Sequence, residues 1–201
     1  MIFCMLDTET TGLDAKRHEI IQVAAILCNK QLVEIGRTAF KIKPQFIERA
    51  SPKALEVNGY SPTTWKTGFS SHKIAFIKLN DFFKHFVDDD KQLIMIGQNV
   101  KFDYEFLKEG YNNAGIVFPF SEETLDLIMV AKIWSAAKNV KLKKYSLGYL
   151  AEFTKQHNNN PHDAESDAEV SLDVLRWFVE DLKKVSKNDR KRFCKYTSIK
   201  I

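Results

Sequence analysis

Hydrophobic positions form short runs at the start of the chain and recur at helical spacing further along. Residues 2–6 are apolar and end at Asp7, which predicts a first buried strand. Residues 18–28 and 32–42 predict two further strands, and the Asn29-Lys30 pair between them is typical of a hairpin turn. The chain therefore opens with a predicted antiparallel meander, and no glycine-rich phosphate loop follows its first strand.

Helices dominate the predictions for the rest of the chain. Ser51 and Pro52 begin a short helix that ends at residues 58–59. Apolar spacing predicts further helices over about 74–87, 100–111, 124–134, 146–154 and 163–182, with a short buried strand over 93–96. The apolar face of the 74–87 helix is expected to contain Ile74, Ile77, Phe82, Phe83 and Phe86. Strands followed by helices interleaved with a strand predict an α/β domain with a mixed sheet.

Composition indicates an ordinary globular protein. The chain has 201 residues, of which 44% are hydrophobic and 28% are charged. No apolar run is long enough to span a membrane, and the first one lacks the basic flank of a secretory signal. Cys4, Cys28 and Cys194 show no CxxC spacing, so we expect a reducing, cytoplasmic setting.

Charge is unevenly distributed. The whole chain carries +4 and residues 183–201 carry +7, so residues 1–182 carry −3. We predict one domain over residues 1–184 and a basic C-terminal tail over residues 185–201. Three interpretations of the tail are open: it contacts phosphates, it is a solvated helix end, or it docks on a partner.

Acidic residues occur at the ends of several predicted elements. Asp7 and Glu9 are two apart, so an extended strand places both carboxylates on one face. Two such carboxylates repel each other unless a cation lies between them, and hard divalent cations prefer oxygen ligands. Asp103 and Asp167 lie in the first turns of predicted helices, and His162 precedes the last helix. Taken singly, each residue also fits a structural role: a solvated loop, a helix dipole or a surface histidine.

Taken together, these residues resemble the DnaQ-like (DEDDh) exonuclease superfamily. The matching motifs are Asp7-x-Glu9 followed by Thr10-Thr11-Gly12, Gly97-x-Asn99-x-x-x-Asp103, and His162-x-x-x-x-Asp167. Asp163 occupies the position where the tyrosine variant would have tyrosine, so the histidine variant is implied. Residues 50–59 are similar to a segment of the epsilon proofreading subunits of DNA polymerase III, which often have histidine at the position of Asn58. The resemblance covers residues 2 to about 182 and implies a ribonuclease H-like mixed β-sheet flanked by helices.

The resemblance implies a hydrolase that releases nucleoside 5′-monophosphates from the 3′ end of single-stranded or frayed DNA. It implies a two-metal mechanism with Mg²⁺, or with Mn²⁺ as the alternative. The implied metal ligands are Asp7, Glu9, Asp103 and Asp167. His162 is the implied general base.

Expected substrate contacts are less sharply defined. They are Thr10, Leu13, Asn58 and Asn99, and Asn99 is also expected as the N-cap of the 100–111 helix. Phe102 and Phe106 are expected in the core, whereas Trp65 and Phe69 are the better candidates for aromatic surface.

Two other functions remain open. The first is an exoribonuclease that trims short RNA, which would be distinguished by how the 2′-hydroxyl is met. The second is a subunit whose main role is to bind a DNA polymerase for proofreading or repair. The complete set of acidic residues and His162 argues against lost catalysis, and the short tail after residue 182 favours a free-standing enzyme.

Overall fold

A mixed sheet forms the centre of the molecule in the computed structural model, which describes residues 1–87 and 92–184. Its strands are β1 (Phe3–Thr10), β2 (Ile20–Cys28), β3 (Glu34–Lys41), β4 (Leu93–Gly97) and β5 (Phe120–Asp126). Their spatial order is β3-β2-β1-β4-β5. The first three pair antiparallel, and β4 pairs parallel with both β1 and β5. The predicted meander and the mixed sheet are therefore confirmed.

Helices cover both faces of this sheet. They are α1 (Pro52–Val57), α2 (His72–Lys84), α3 (Lys101–Ala114), α4 (Leu127–Lys138), α5 (Leu147–Thr154) and α6 (Ala164–Lys183), with a 3₁₀ turn at Ile47–Arg49. On one face, α2 and α3 pack together over Leu6 and Val23. On the other face, α6 packs across β1 and β2 over Met5 and Ile26, and contacts α4 and α5. The side chains of successive β1 residues thus pack into two separate hydrophobic cores, one on each face of the sheet.

The predicted helix over 124–134 is wrong at its start. Residues 120–126 form the edge strand β5, and α4 begins only at Leu127. The side chains of Glu122, Glu123 and Thr124 are exposed, so this strand lacks the apolar alternation by which strands are recognised. Asp126 caps α4, because its Oδ1 accepts the N–H of Ile128 at 2.8 Å.

The predicted apolar face of α2 is wrong in part. The buried residues are Ala75, Phe76, Leu79 and Phe83, whereas Ile74 and Ile77 are 49% and 39% exposed. Residues 74–77 are apolar without a break, so their sequence fits several helical faces equally well. Packing against α3 selects the face that carries Phe76.

The expected aromatic surface is also wrong. Trp65 is only 3% exposed, and its Nε1–H donates to the Ile21 carbonyl at 2.7 Å. Phe69 packs edge-on against Phe40, with ring centroids 5.1 Å apart. The expectation for α3 is confirmed, since Phe106 is buried and lies against Phe102.

The predicted basic tail over 185–201, including Cys194, lies outside the described residues. Cys4 and Cys28 are buried free thiols. Among the described residues, no helix is both long and apolar enough to cross a membrane.

Candidate active site

The candidate site forms where β1 extends beyond the end of β4. Pairing between these two strands covers only residues 3–5 of β1, whereas β2 accompanies β1 as far as Thr10. Gly97 ends β4 very close to β1, since a Cβ atom there would lie 3.0 Å from the Leu6 carbonyl oxygen. Beyond this point Asp7 and Glu9 have no β4 neighbour in the register. The strand end therefore offers two carboxylates at an opening between parallel strands.

Asp103 reaches the same place from α3. It lies in the first turn of that helix and is 4% exposed. Thr8, between the two β1 carboxylates, donates its hydroxyl hydrogen to Asp103 Oδ1 at 2.7 Å. Hydrogen bonding from Thr8 thus fixes the α3 carboxylate to the strand that carries Asp7 and Glu9.

The expectation that Asn99 is the N-cap of this helix is wrong. Val100 occupies that position, and no side chain makes a capping hydrogen bond. Asn99 has a left-handed backbone with φ of 57°, a conformation that asparagine tolerates better than most residues. Its N–H donates to Asp126 Oδ1 at 3.3 Å, and the residue is exposed. The turn before α3 therefore leaves the Asn99 side chain outside the helix.

Asp167 and His162 come from the start of α6 and the loop before it. The ligand atoms of Glu9, His162 and Asp167 all lie within 4.8 Å of one another. His162 has a left-handed backbone with φ of 65°, and its N–H donates to Asp167 Oδ2 at 3.3 Å. Asp163 caps α6 through Ser166 N–H. The structure therefore brings all five predicted catalytic residues to the end of β1, the central strand of the sheet.

Asn158 contacts Asp167, and the sequence did not predict this contact. Its Nδ2 donates to Asp167 Oδ1 at 2.5 Å, and its Oδ1 accepts from Ser166 Oγ at 2.8 Å. A second missed contact joins Gln22 on β2 to Asp163, from Nε2 to Oδ2 at 2.7 Å. The sequence offers no signal for either contact, because each depends on how a loop folds back on the sheet.

The environment of the four carboxylates disfavours their ionised forms. Burial, followed by the charges of Asp103, Asp167 and Glu9, raises the pKa of Asp7 well above its usual value. Burial and the nearby aspartates raise the pKa of Glu9 to about 8. Burial raises the pKa of Asp103 to about 7 although the Thr8 hydrogen bond opposes this, and burial also raises the pKa of Asp167.

No lysine or arginine in residues 1–87 and 92–184 forms an ion pair with any of these four carboxylates. Closely spaced carboxylates without a basic partner are costly to keep ionised unless a cation is bound. Oxygen donors of this kind fit a hard divalent cation. The residues present therefore suit the metal chemistry that the sequence predicts.

The predicted substrate residues fall into two pairs. Thr10 and Asn58 are buried, the Thr10 hydroxyl donates to the Gly12 carbonyl at 2.7 Å, and Asn58 Nδ2 donates to the Thr10 carbonyl at 3.0 Å. Leu13 is 85% exposed and Asn99 is exposed. The first pair thus holds the end of β1 in place, whereas the side chains of the second pair are open to solvent.

Comparison with known proteins identifies relatives across nearly the whole chain. Residues 4–175 match the family model described as "Exonuclease". The DNA polymerase III PolC-type of Thermotoga maritima is 30% identical over 184 residues, which are 91% of this chain and only 12% of that protein. Ribonuclease T of Shewanella baltica is 24% identical over 184 residues, covering 86% of this chain and 81% of that protein.

Among solved structures, the zinc-ion-bound ExoI–ssDNA complex from E. coli has a similar fold. Its TM-score is 0.77 at 19% identity, over 91% of this chain and 41% of that chain. This likeness confirms the predicted ribonuclease H-like mixed sheet flanked by helices.

Proposed function

The chain belongs to the exonuclease family of DnaQ-like proteins, and we propose that it is a metal-dependent 3′–5′ exonuclease acting on single-stranded or frayed DNA. It would hydrolyse the terminal phosphodiester bond and release nucleoside 5′-monophosphates. The observation that supports this proposal is that five residues meet at the end of β1, the central strand: Asp7, Glu9, Asp103, Asp167 and His162.

The four carboxylates are the proposed ligands of two divalent ions. Mg²⁺ is the proposed cofactor because the donors are all oxygen atoms, and Mn²⁺ suits the same donors. When bound, the ions supply positive charge that stabilises the reacting phosphate and lowers the pKa of water. Thr8 would hold Asp103 in place, and the His162 N–H would do the same for Asp167.

His162 is the proposed general base. It is exposed, its ring nitrogen lies within 4.8 Å of the Glu9 and Asp167 oxygens, and imidazole exchanges protons near neutral pH. In this position the ring would accept the proton of the attacking water at the mouth of the site. The Asp167 contact to the His162 backbone would keep the ring beside the reacting phosphate.

Substrate contacts are proposed for both of these pairs of residues. The exposed Leu13 side chain would pack against the terminal base, and the Asn99 amide would hydrogen-bond to the strand. Thr10 and Asn58 would contribute through the backbone that they hold at the end of β1.

DNA is the preferred substrate in this proposal, and short RNA is the second candidate. A relative named for DNA polymerase III and a structural neighbour that holds single-stranded DNA support DNA. A relative named Ribonuclease T, matched over most of its length, supports RNA. The PolC-type relatives also support a DNA polymerase as a partner. Proofreading or repair in the cytoplasm is the process that we propose.

The test uses 5′-labelled single-stranded DNA and RNA of the same sequence, each with Mg²⁺ or with chelator. We expect a ladder that shortens from the 3′ end in Mg²⁺ alone and that is absent in an Asp7→Ala variant. Faster loss of one strand identifies the substrate class. If neither strand shortens in Mg²⁺ or Mn²⁺, the proposal fails and polymerase binding becomes the function to test.

A further inference from the structure

Four exposed cations surround a cleft next to the end of β1. Lys16 and Arg17 belong to the loop after β1, Arg49 to the 3₁₀ turn, and Lys73 to the start of α2. We propose that this basic cleft binds the phosphate backbone of the nucleic acid strand upstream of the 3′ terminus. The inference rests on the proposed function, because it extends the path of the same substrate beyond the carboxylates.

The basic cleft is joined to the active-site strand by hydrogen bonds. Thr11 follows Thr10 directly, its N–H donates to the Glu19 carbonyl at 2.8 Å, and its carbonyl accepts the Ser51 N–H at 2.7 Å. His72 Nε2 donates to the Ile20 carbonyl at 3.1 Å. These bonds hold the three segments that carry the four cations around residues 11–20, and the space between them measures about 360 Å³. A strand that enters the carboxylate site therefore has this cleft within reach.

The cations of the basic cleft are largely available to a ligand. In the part of the chain that the structure describes, Lys16, Arg17 and Lys73 form no ion pair. Arg49 lies 3.9 Å from Glu48, with both side chains at least half exposed, and packs on the Phe46 ring with 4.1 Å to its centroid. A surface pair of this kind contributes little and is readily exchanged for a phosphate.

Acidic residues in the same cleft are already engaged. The Glu19 carboxylate accepts the N–H groups of Gln45 and Phe46 and lies 3.7 Å from His72 Nδ1. Glu109 accepts from Asn113 Nδ2 at 3.2 Å. Four exposed cations against two internally bonded acids give the cleft a positive charge, although residues 1–182 as a whole carry −3. Such a local excess favours a polyanion.

Nucleic acid fits this surface better than a small anion. The cations come from three separate segments and line an open cleft. Phe46, 43% exposed beneath Arg49, adds an aromatic face on which a base can stack. Backbone contacts through lysine and arginine carry no sequence information, as suits an enzyme that degrades a strand base by base.

The test compares Arg17→Ala and the triple variant Arg17→Ala/Arg49→Ala/Lys73→Ala with Lys30→Ala. Lys30 is an exposed lysine in the turn after β2, whose last residue pairs with Phe3 at the opposite end of β1. Binding of a fluorescent single-stranded DNA is measured by anisotropy in chelator at several salt concentrations. We expect each lost cation to lower the slope of log affinity against log salt by about 0.7, and the triple variant to bind roughly tenfold more weakly at low salt.

A dinucleotide substrate separates the cleft from the chemistry. It occupies only the carboxylate site, so its hydrolysis in Mg²⁺ should be unchanged in all variants, while the KM for a long strand rises in the triple variant. Unchanged affinity and salt slope in the triple variant would overturn the inference. An acidic protein would then be the alternative ligand of the cleft. If no variant and no wild-type protein cleaves the dinucleotide, the proposed function fails, and the anisotropy result still decides the cleft.

Discussion

Asn158 donates a hydrogen bond from Nδ2 to Asp167 Oδ1 at 2.5 Å. Its own Oδ1 accepts from Ser166 Oγ and from the Asn160 N–H, so the amide is fixed by both α6 and the loop before it. The opposite oxygen of Asp167 accepts the His162 N–H. One carboxylate is thus oriented at both of its oxygens by the loop that carries the proposed general base.

We therefore expect Asn158→Ala to impair catalysis without unfolding the protein. Loss of a side chain that orients a metal ligand typically lowers metal affinity or activity about 10- to 100-fold. The measurement is a Mg²⁺ titration of exonuclease activity, in which the half-maximal concentration should rise. Asn159→Ala is the matched control, because that neighbouring side chain is exposed. Equal Mg²⁺ curves for the two variants would show that Asn158 is only a loop residue.

Replacement of His162 should remove proton transfer and leave metal binding intact. A positioned general base contributes roughly 10²–10⁴-fold, so His162→Ala should lose activity in that range. Thermal stabilisation by Mg²⁺ should persist, since the four carboxylates remain. His157→Ala, an exposed histidine of the same loop, is the control and should keep normal activity. A His162→Ala enzyme with near-normal turnover would exclude this role.

Asp7→Asn should abolish activity and stabilise the protein in chelator. The variant removes one member of a group of mutually repelling carboxylates. The free energy of unfolding should therefore increase by about 0.5–2 kcal/mol, as is common where function opposes stability. Urea denaturation in chelator measures the change. Glu123→Gln, on the exposed side of β5, provides the control and should change neither property.

Stability in chelator should decrease as the pH rises. The pKa of Glu9 is about 8 and that of Asp103 is about 7, against ordinary values of 4.5 and 3.8. Between the ordinary and the raised values the folded state binds more protons than the unfolded state, so the free energy of unfolding falls with increasing pH. Thermal melting from about pH 5 to about pH 8 tests this. Saturating Mg²⁺ should flatten the dependence, and a melting temperature that rises with pH in chelator would contradict the prediction.

The close packing of α3 against α2 provides a test that is independent of function. A Cβ atom at Gly110 would lie 2.1 Å from Cζ of the buried Phe76 ring, so Gly110→Ala should destabilise by about 1–3 kcal/mol. This exceeds the gain of up to about 1 kcal/mol from replacing a helical glycine. Gly148→Ala in α5 is the matched control, since nothing lies within 4 Å of its Cβ position, and it should be neutral or stabilising. Urea denaturation compares the two.

The sequence correctly predicts those elements whose apolar pattern fits only one type of secondary structure. The runs that end at Asp7 and at Cys28 are buried strands, and most helices begin within a few residues of their predicted starts. The edge strand β5 is not predicted, because most of its side chains are at least partly exposed and give no apolar pattern. Only its pairing with β4 makes this segment a strand. The buried face of α2 is not predicted correctly, because an unbroken apolar run fits more than one helical face. Packing against α3 determines which of these faces is buried.

The candidate site divides in the same way. The carboxylates and His162 belong to motifs with fixed spacing, and their proximity could be predicted from those motifs. Asn158 and Gln22 could not be predicted, because polar residues of these types are common and only the folded loop shows what they contact. The basic cleft joins three segments that are neighbours in space and not along the chain.

Because α6 is the last described element, the residues of the candidate site are synthesised in a fixed order. Asp7, Glu9 and Asp103 leave the ribosome before Asp167, which joins them only when α6 packs across β1 and β2. A growing chain thus lacks Asp167, one of the four proposed metal ligands, until α6 has been made.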